Sequence, residues 1–156
     1  MNIVKLQQEI IKDLLNDKRG RWFIQIKESE VYIMTRYQVF ILSPKEFVLD
    51  IDKLALGNTN IADSLLKSAE DAKPAIKTGI IKSVISQGKD VNCLELKRED
   101  TGELVYVNQT LLKLYDKNCD FTAINSKSPV FIYESDILVG MVLPIIERVK
   151  KYEEFN

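Results

Sequence analysis

The chain contains no histidine. That absence removes the commonest general base near neutral pH and the commonest metal ligand. Cysteine is nearly as scarce. Cys93 and Cys119 are the two cysteines of the 156 residues and form no Cys-x-x-Cys pair, whereas a zinc site needs about four ligands. Both are expected as buried free thiols, and a chain without a disulfide framework fits a reducing compartment. The six glycines include Gly57, Gly79, Gly88 and Gly102, each isolated, so no phosphate-cradling loop appears. The acidic pairs Glu28/Glu30, Glu99/Asp100 and Glu153/Glu154 fall in turns or in the tail and read as solvated surface. Ser43/Lys45 and Ser126/Lys127 have nothing to position them as nucleophile and base. No enzyme activity, cofactor or metal is expected.

Neither sign of charge is in surplus. The 22 basic and 23 acidic residues give a net charge of −1. Strong non-specific attraction to nucleic acid needs a basic excess, so any basic site must be a local patch. Long hydrophobic runs are missing too. None approaches the ~18 apolar residues of a membrane span, and Met1-Asn2-Ile3-Val4-Lys5 lacks the charged and apolar regions of a signal peptide. A cytoplasmic protein without a membrane partner is expected.

What the chain does have is alternation. Ser128 to Ile145 contains two apolar strands, Pro129–Tyr133 and Ile137–Leu143, hinged on Glu134-Ser135-Asp136 and stopped by Pro144. With 46% hydrophobic and 29% charged residues in 156 positions, the composition is that of a single folded domain, long enough to bury roughly two-thirds of its unfolded surface. Residues 3–16 place Ile3, Leu6, Ile10, Leu14 and then Val4, Ile11, Leu15 on an expected inward stripe, which is the period of an amphipathic helix. From Trp22 the period drops to two. Trp22–Lys27, Val31–Thr35 and Tyr37–Leu42 read as an antiparallel meander with short polar breaks.

Pro44–Phe47 suggests a single turn, 57–60 a loop, and Ile61–Ala72 a helix stopped by Pro74. Ala75–Ser86 is ambiguous between helix and strand; its β-branched content and Gly79 favour a strand. Val91–Lys97, the turn Asp100-Thr101-Gly102 and Glu103–Val107 form a hairpin. Asn108 suits an N-cap for a helix over Gln109–Tyr115 with Leu111, Leu112 and Leu114 inward. Asp120–Asn125 is a further strand, and Ile146–Phe155 a charged, helical tail. The aromatic residues Trp22, Tyr32, Tyr37, Phe40, Tyr106, Phe131 and Tyr133 fall in strands, where core and cross-strand pairing is expected over a base-stacking platform.

A unit of helix followed by three antiparallel strands thus appears twice, at about 3–42 and 76–145 of a single domain spanning 1–156. Residues 43–75 are an irregular and helical insertion, and 146–156 a tail. The expected fold class is α+β, with the helices at 3–16 and 109–115 on one face of the combined sheet.

The second unit resembles the last domain of the bacterial DNA sliding clamp, the polymerase's processivity factor. The resemblance is carried by Val105-Tyr106-Val107-Asn108-Gln109-Thr110-Leu111-Leu112, by Ser128-Pro129-Val130, and by the closing Met141-Val142-Leu143-Pro144-Ile145. That family has an asparagine opening a short helix with a leucine pair, a later Ser-Pro-Val strand start and a final strand ending in Val-Met-Pro-Met. The first unit is similar through Leu6-Gln7-Gln8 and the basic Lys18-Arg19-Gly20-Arg21.

The resemblance implies a DNA-clamp-like fold and a non-catalytic role, in which lysines and arginines face duplex phosphates without reading bases. The positions it points to are Lys5, Lys12, Lys18, Arg19, Arg21 and Lys113, with Lys117 beside them; Glu9, Asp13, Asp17 and Asp116 interleave and dilute the field. It also implies a groove for a partner peptide, carried onto Leu143, Pro144 and Ile145. A clamp subunit strings three such domains, so a lone domain would encircle DNA only as a homo-oligomer joined at its sheet edges. The expected partners are further copies of the chain, double-stranded DNA, and a peptide of a replication or phage protein. The lysine-, isoleucine- and asparagine-rich composition suggests a phage or mobile-element setting. The alternative is an adaptor or inhibitor that keeps the clamp fold without encircling DNA.

Overall fold

The computed structural model describes residues 1–16, 21–49, 55–56 and 61–146. Helix α1 spans Ile3–Leu15 and is opened by Asn2, whose side chain accepts from the Lys5 amide at 3.0 Å. Leu6, Gln7 and Ile10 are buried, and Ile3 and Leu14 pack against the same core. Val4, Ile11 and Leu15, expected inward, are exposed. At about 100° per residue they lie roughly a third to a half of a turn round the helix from Leu6 and Ile10, beyond the reach of the sheet. Gln7 is buried because both ends of its amide are used. Nε2 donates to the Glu46 carbonyl at 3.0 Å, and Oε1 accepts from the Val48 amide at 2.8 Å. This fastens α1 to the short 3-10 turn Pro44–Glu46.

Strands β1 (Phe23–Lys27), β2 (Glu30–Met34) and β3 (Gln38–Leu42) form the expected antiparallel meander. The two-residue strand β4 (Ala55–Leu56) runs parallel to β1. Helix α2 (Ile61–Asp71) ends just before Lys73, which Pro74 holds out of the helical region. Pro74 then continues as part of strand β5 (Lys73–Ser86), so the second half of the sheet starts before residue 76. β5 returns as β6 (Lys89–Arg98) through Gln87 and Gly88, whose φ angles of 51° and 76° are those of a tight two-residue hairpin turn. β7 (Leu104–Asn108), β8 (Asp120–Ala123), β9 (Val130–Glu134) and β10 (Ile137–Val142) follow. The polar hinge between β9 and β10 is the same kind of turn, with Ser135 and Asp136 at 48° and 65°.

The ten strands among the described residues belong to one sheet in the order β4-β1-β2-β3-β10-β9-β8-β5-β6-β7, antiparallel throughout except for β4. The fold is therefore α+β, but helical cover is not confined to one face. α1 packs with Ile24, Val31, Ile33, Phe40 and Leu42, and Leu111 and Leu112 join that core. α2 packs through Ala62 and Leu65 with Tyr32, Met34, Val39 and Ile41, the alternate residues of the same strands. Alternate residues point to opposite faces. Both sets are apolar in β2 and β3, so both faces need a cover.

The helix expected over Gln109–Tyr115 is a 3-10 turn, Gln109–Leu112, capped by Asn108, whose Oδ1 accepts from the Thr110 amide at 2.9 Å. Tyr115 turns inward instead of continuing it. Its ring stacks on Phe40 at 5.3 Å, and its hydroxyl donates to the Val39 carbonyl at 2.9 Å. Gly140 on β10 leaves room for that ring. A Cβ there would meet the Tyr115 hydroxyl and the Val39 carbonyl and lie 2.9 Å from Tyr115 Cε1. The charged tail expected to be helical from 146 lies outside the described residues beyond Ile146.

Candidate functional site

The basic positions separate into two groups. Lys5 and Lys12, seven residues apart, lie on one exposed side of α1. The Asn2 amide donates to the Leu114 carbonyl at 2.6 Å, which brings the exposed Lys113 beside the first turn of α1. None of these three lysines makes an ion pair among the described residues. Lys5 and Lys113 therefore lie near the contact between the two halves of the chain, whereas Lys12 is about two turns further along α1, with the exposed Glu9 between it and Lys5.

Arg21 behaves differently. It is exposed, yet Nη1 lies 3.3 Å from Asp13 Oδ2, and Asp13 also accepts from Trp22 Nε1 at 2.8 Å. Its charge is matched by a carboxylate already fixed in place. Lys18 and Arg19 lie outside the described residues. Lys117 is exposed, and its carbonyl accepts from Lys77 Nζ at 2.6 Å.

Leu143, Pro144 and Ile145 form a seam. The Leu143 amide donates to the Tyr37 carbonyl at 2.9 Å and the Ile145 amide to the Tyr106 carbonyl at 2.8 Å. Tyr106 belongs to β7, at the far end of the strand order from β4. The sheet must therefore curl until its last strand stands beside the exit of β10. The backbone donors of this segment are consumed and Pro144 has none. What remains for a partner is side chain: Leu143 exposed, Pro144 and Ile145 half-buried.

The outer side of β1 and the β7 end of the sheet are both engaged. β4 covers Phe23 and Ile24 of β1, Gln25 accepts from the Ala62 amide at 3.3 Å, and Lys27 pairs with Asp63. β7 receives Ile145. The open edge lies elsewhere and was not foreseen. β8 pairs with β5 at Lys73, Pro74 and Ala75 and then ends. Beyond that point no strand among the described residues pairs with the outer side of β5. The same stretch carries Ile76, Ile80, Ile81 and Ile85, each roughly half or more exposed (51%, 53%, 47% and 68%). The clue was the doubled Ile80-Ile81 after Gly79, which breaks strict alternation. It marks a bulge in which Thr78, Gly79 and Ile80 stand opposite Glu95 alone, with Gly79 at a φ of 83°. Thr78 donates to the buried Glu95 carboxylate at 2.9 Å.

The perturbed ionisable groups serve packing. Burial pushes the thiols of Cys93 and Cys119 up, away from the nucleophilic thiolate; both cysteines are buried and free. Burial likewise raises the Tyr115 and Tyr32 phenols, Tyr32 with help from its 2.6 Å bond to Glu30. Among the described residues there is no group of three or more acidic, cysteine or histidine side chains that could hold a metal ion. No helix among them is long and apolar enough to cross a membrane.

No family model, no curated protein and no solved structure matches the chain.

Proposed function

We propose that the protein is a non-catalytic accessory factor on a DNA-clamp-like frame. In this reading Lys5, Lys12 and Lys113 rest on the phosphates of duplex DNA beside a replication complex of phage or mobile-element type. The observation that supports it is the mirrored strand order. The meander β1-β2-β3 meets β10-β9-β8 edge to edge through β3 and β10, and α1 and the 109–112 turn share one core. Two like halves in one sheet are what the clamp resemblance implies, and the exposed Lys5 and Lys113 lie near a contact between those halves, with Lys12 further along the same side of α1.

Duplex binding followed by fluorescence anisotropy over a salt series tests this. With three phosphate contacts, the logarithm of the affinity should fall with the logarithm of salt at a slope near −2.7 (about 0.9 per contact). Lys5→Glu, Lys12→Glu and Lys113→Glu together should abolish binding and leave the circular dichroism unchanged. Duplex binding that survives the triple change, or none by the wild type at low salt, sinks the proposal.

A second reading, an adaptor that keeps the frame and binds protein, is favoured by the exposed isoleucines of β5. It predicts indifference to duplex DNA and a contact surface on β5 rather than on α1.

A further inference from the structure

We infer that two copies of this protein pair through the outer edge of β5, antiparallel, about a two-fold axis at Ser83. The inference rests on the reading of the protein as a binding module, but not on its contact with DNA.

Three observations converge on a second copy as the occupant. The first is backbone. After Ala75 the outer edge of β5 runs on to Ser86 with no partner strand among the described residues. Such a row of open donors and acceptors is a template for another strand. The second is side chain. Ile81, Ser83 and Ile85 stand opposite Leu94, Asn92 and Asp90 of β6, so they share one face of the ribbon. The isoleucines of that face are exposed, which leaves an apolar surface beside the open edge.

The third is register, and it selects the partner. With Ser83 on the axis, Ile81 falls opposite the second copy's Ile85, and Ile85 opposite its Ile81. Lys82 falls opposite Val84. Every close pair on the isoleucine face is then apolar or hydroxyl-to-hydroxyl, and no like charges meet. Moving the axis to Lys82 would set two ammonium groups against each other, a destabilising cross-strand pair. The Ser83-centred pairing spans roughly residues 79–87, which fits the open stretch and stops short of β8, whose last partner is Ala75. The contact is isologous. It closes at two copies and does not propagate into a filament.

Two measurements test it. Sedimentation equilibrium without DNA should show a concentration-dependent dimer. Ile81→Lys with Ile85→Lys should weaken that dimer by about tenfold or more, since the two isoleucine pairs become charged. These side chains are exposed, so the fold should persist, as circular dichroism would show. Separately, Ser83→Cys should form an intermolecular disulfide when diamide accepts the two electrons released by the paired thiols, and the unaltered chain, with Cys93 and Cys119 buried, should not. A chain that stays monomeric at every concentration overturns the inference. So does a dimer untouched by the double lysine change, or one in which Ser83→Cys fails to cross-link. Duplex binding assayed on the wild-type dimer keeps this result apart from the preceding proposal: a dimer indifferent to DNA removes that proposal and leaves this pairing standing.

Discussion

The strands β2 and β3 and the outer half of the β5–β6 ribbon are similar as sequence and opposite as structure. Each is rich in β-branched residues, though Lys82 and Ser83 interrupt the apolar residues of β5. In Val31–Met34 and Val39–Leu42 every residue is buried, because α1 covers one alternate set and α2 the other. In β5, Ile80, Ile81 and Ile85 are left to solvent. Apolar content decides that a segment pairs as a strand. Whether its faces are buried depends on which helices lie over it, and that is a property of topology.

Four changes test how deep this contrast runs. The largest effect is expected from Phe40→Ala. It removes a fully buried ring stacked on Tyr115 and should lower stability in chemical denaturation by about 3–5 kcal/mol. Gly140→Ala comes next. The added methyl enters the space of the Tyr115 hydroxyl and the Val39 carbonyl and should cost about 1–3 kcal/mol, read as a lower denaturation midpoint.

A smaller effect concerns acid. The Ser126 backbone amide donates to Glu103 at 2.9 Å and, with the Ser126 side chain and then Arg98, holds the carboxyl below the ordinary glutamate range, while burial pulls the other way. A lowered carboxylate contributes stability that is present above its ordinary value and is lost as pH falls through the depressed one. Thermal melts should therefore show Glu103→Gln less stable than the wild type at neutral pH, with the two curves converging in acid. The gap should be slight, because the Glu103 side chain is 35% exposed. Least of all should come from Ile81→Thr or Ile85→Thr, within about 0.5 kcal/mol when measured on dilute monomer. A loss on the scale of Phe40→Ala at either position would mean that the ribbon is as buried as β2 and β3.

Much of this contrast could not be read from residues. The meander, the Asp100-Thr101-Gly102 turn and the closing β9–β10 hairpin follow from period-two alternation and turn chemistry, and they stand where the sequence puts them. The 109–115 helix is short because Tyr115 answers to Phe40, a residue 75 positions earlier along the chain. The buried stripe of α1 is narrower than its apolar residues, because the helix meets the sheet only along the line of Leu6, Gln7 and Ile10. Of the basic positions, Lys5, Lys12 and Lys113 are exposed as their polarity suggests. The Arg21–Asp13 pair joins a loop to a helix side and has no sequence spacing of its own. The role of Leu143–Ile145 as a seam depends on the curl of the whole sheet, to which no local pattern points.

The position of β10 has a consequence for how the molecule is made. It is the last strand in chain order among the described residues, yet it lies between β3 and β9 in the interior of the sheet. Until residues 137–142 have left the ribosome, the two flanks of the sheet have no shared strand, and the sides of β3 and β9 that β10 will fill stay open. From the completion of the β5–β6 hairpin at Arg98 until β10 ends at Val142, the nascent protein must hold two incomplete sheets apart. This makes the interval before β10 arrives the period when misassembly and chaperone capture are most expected.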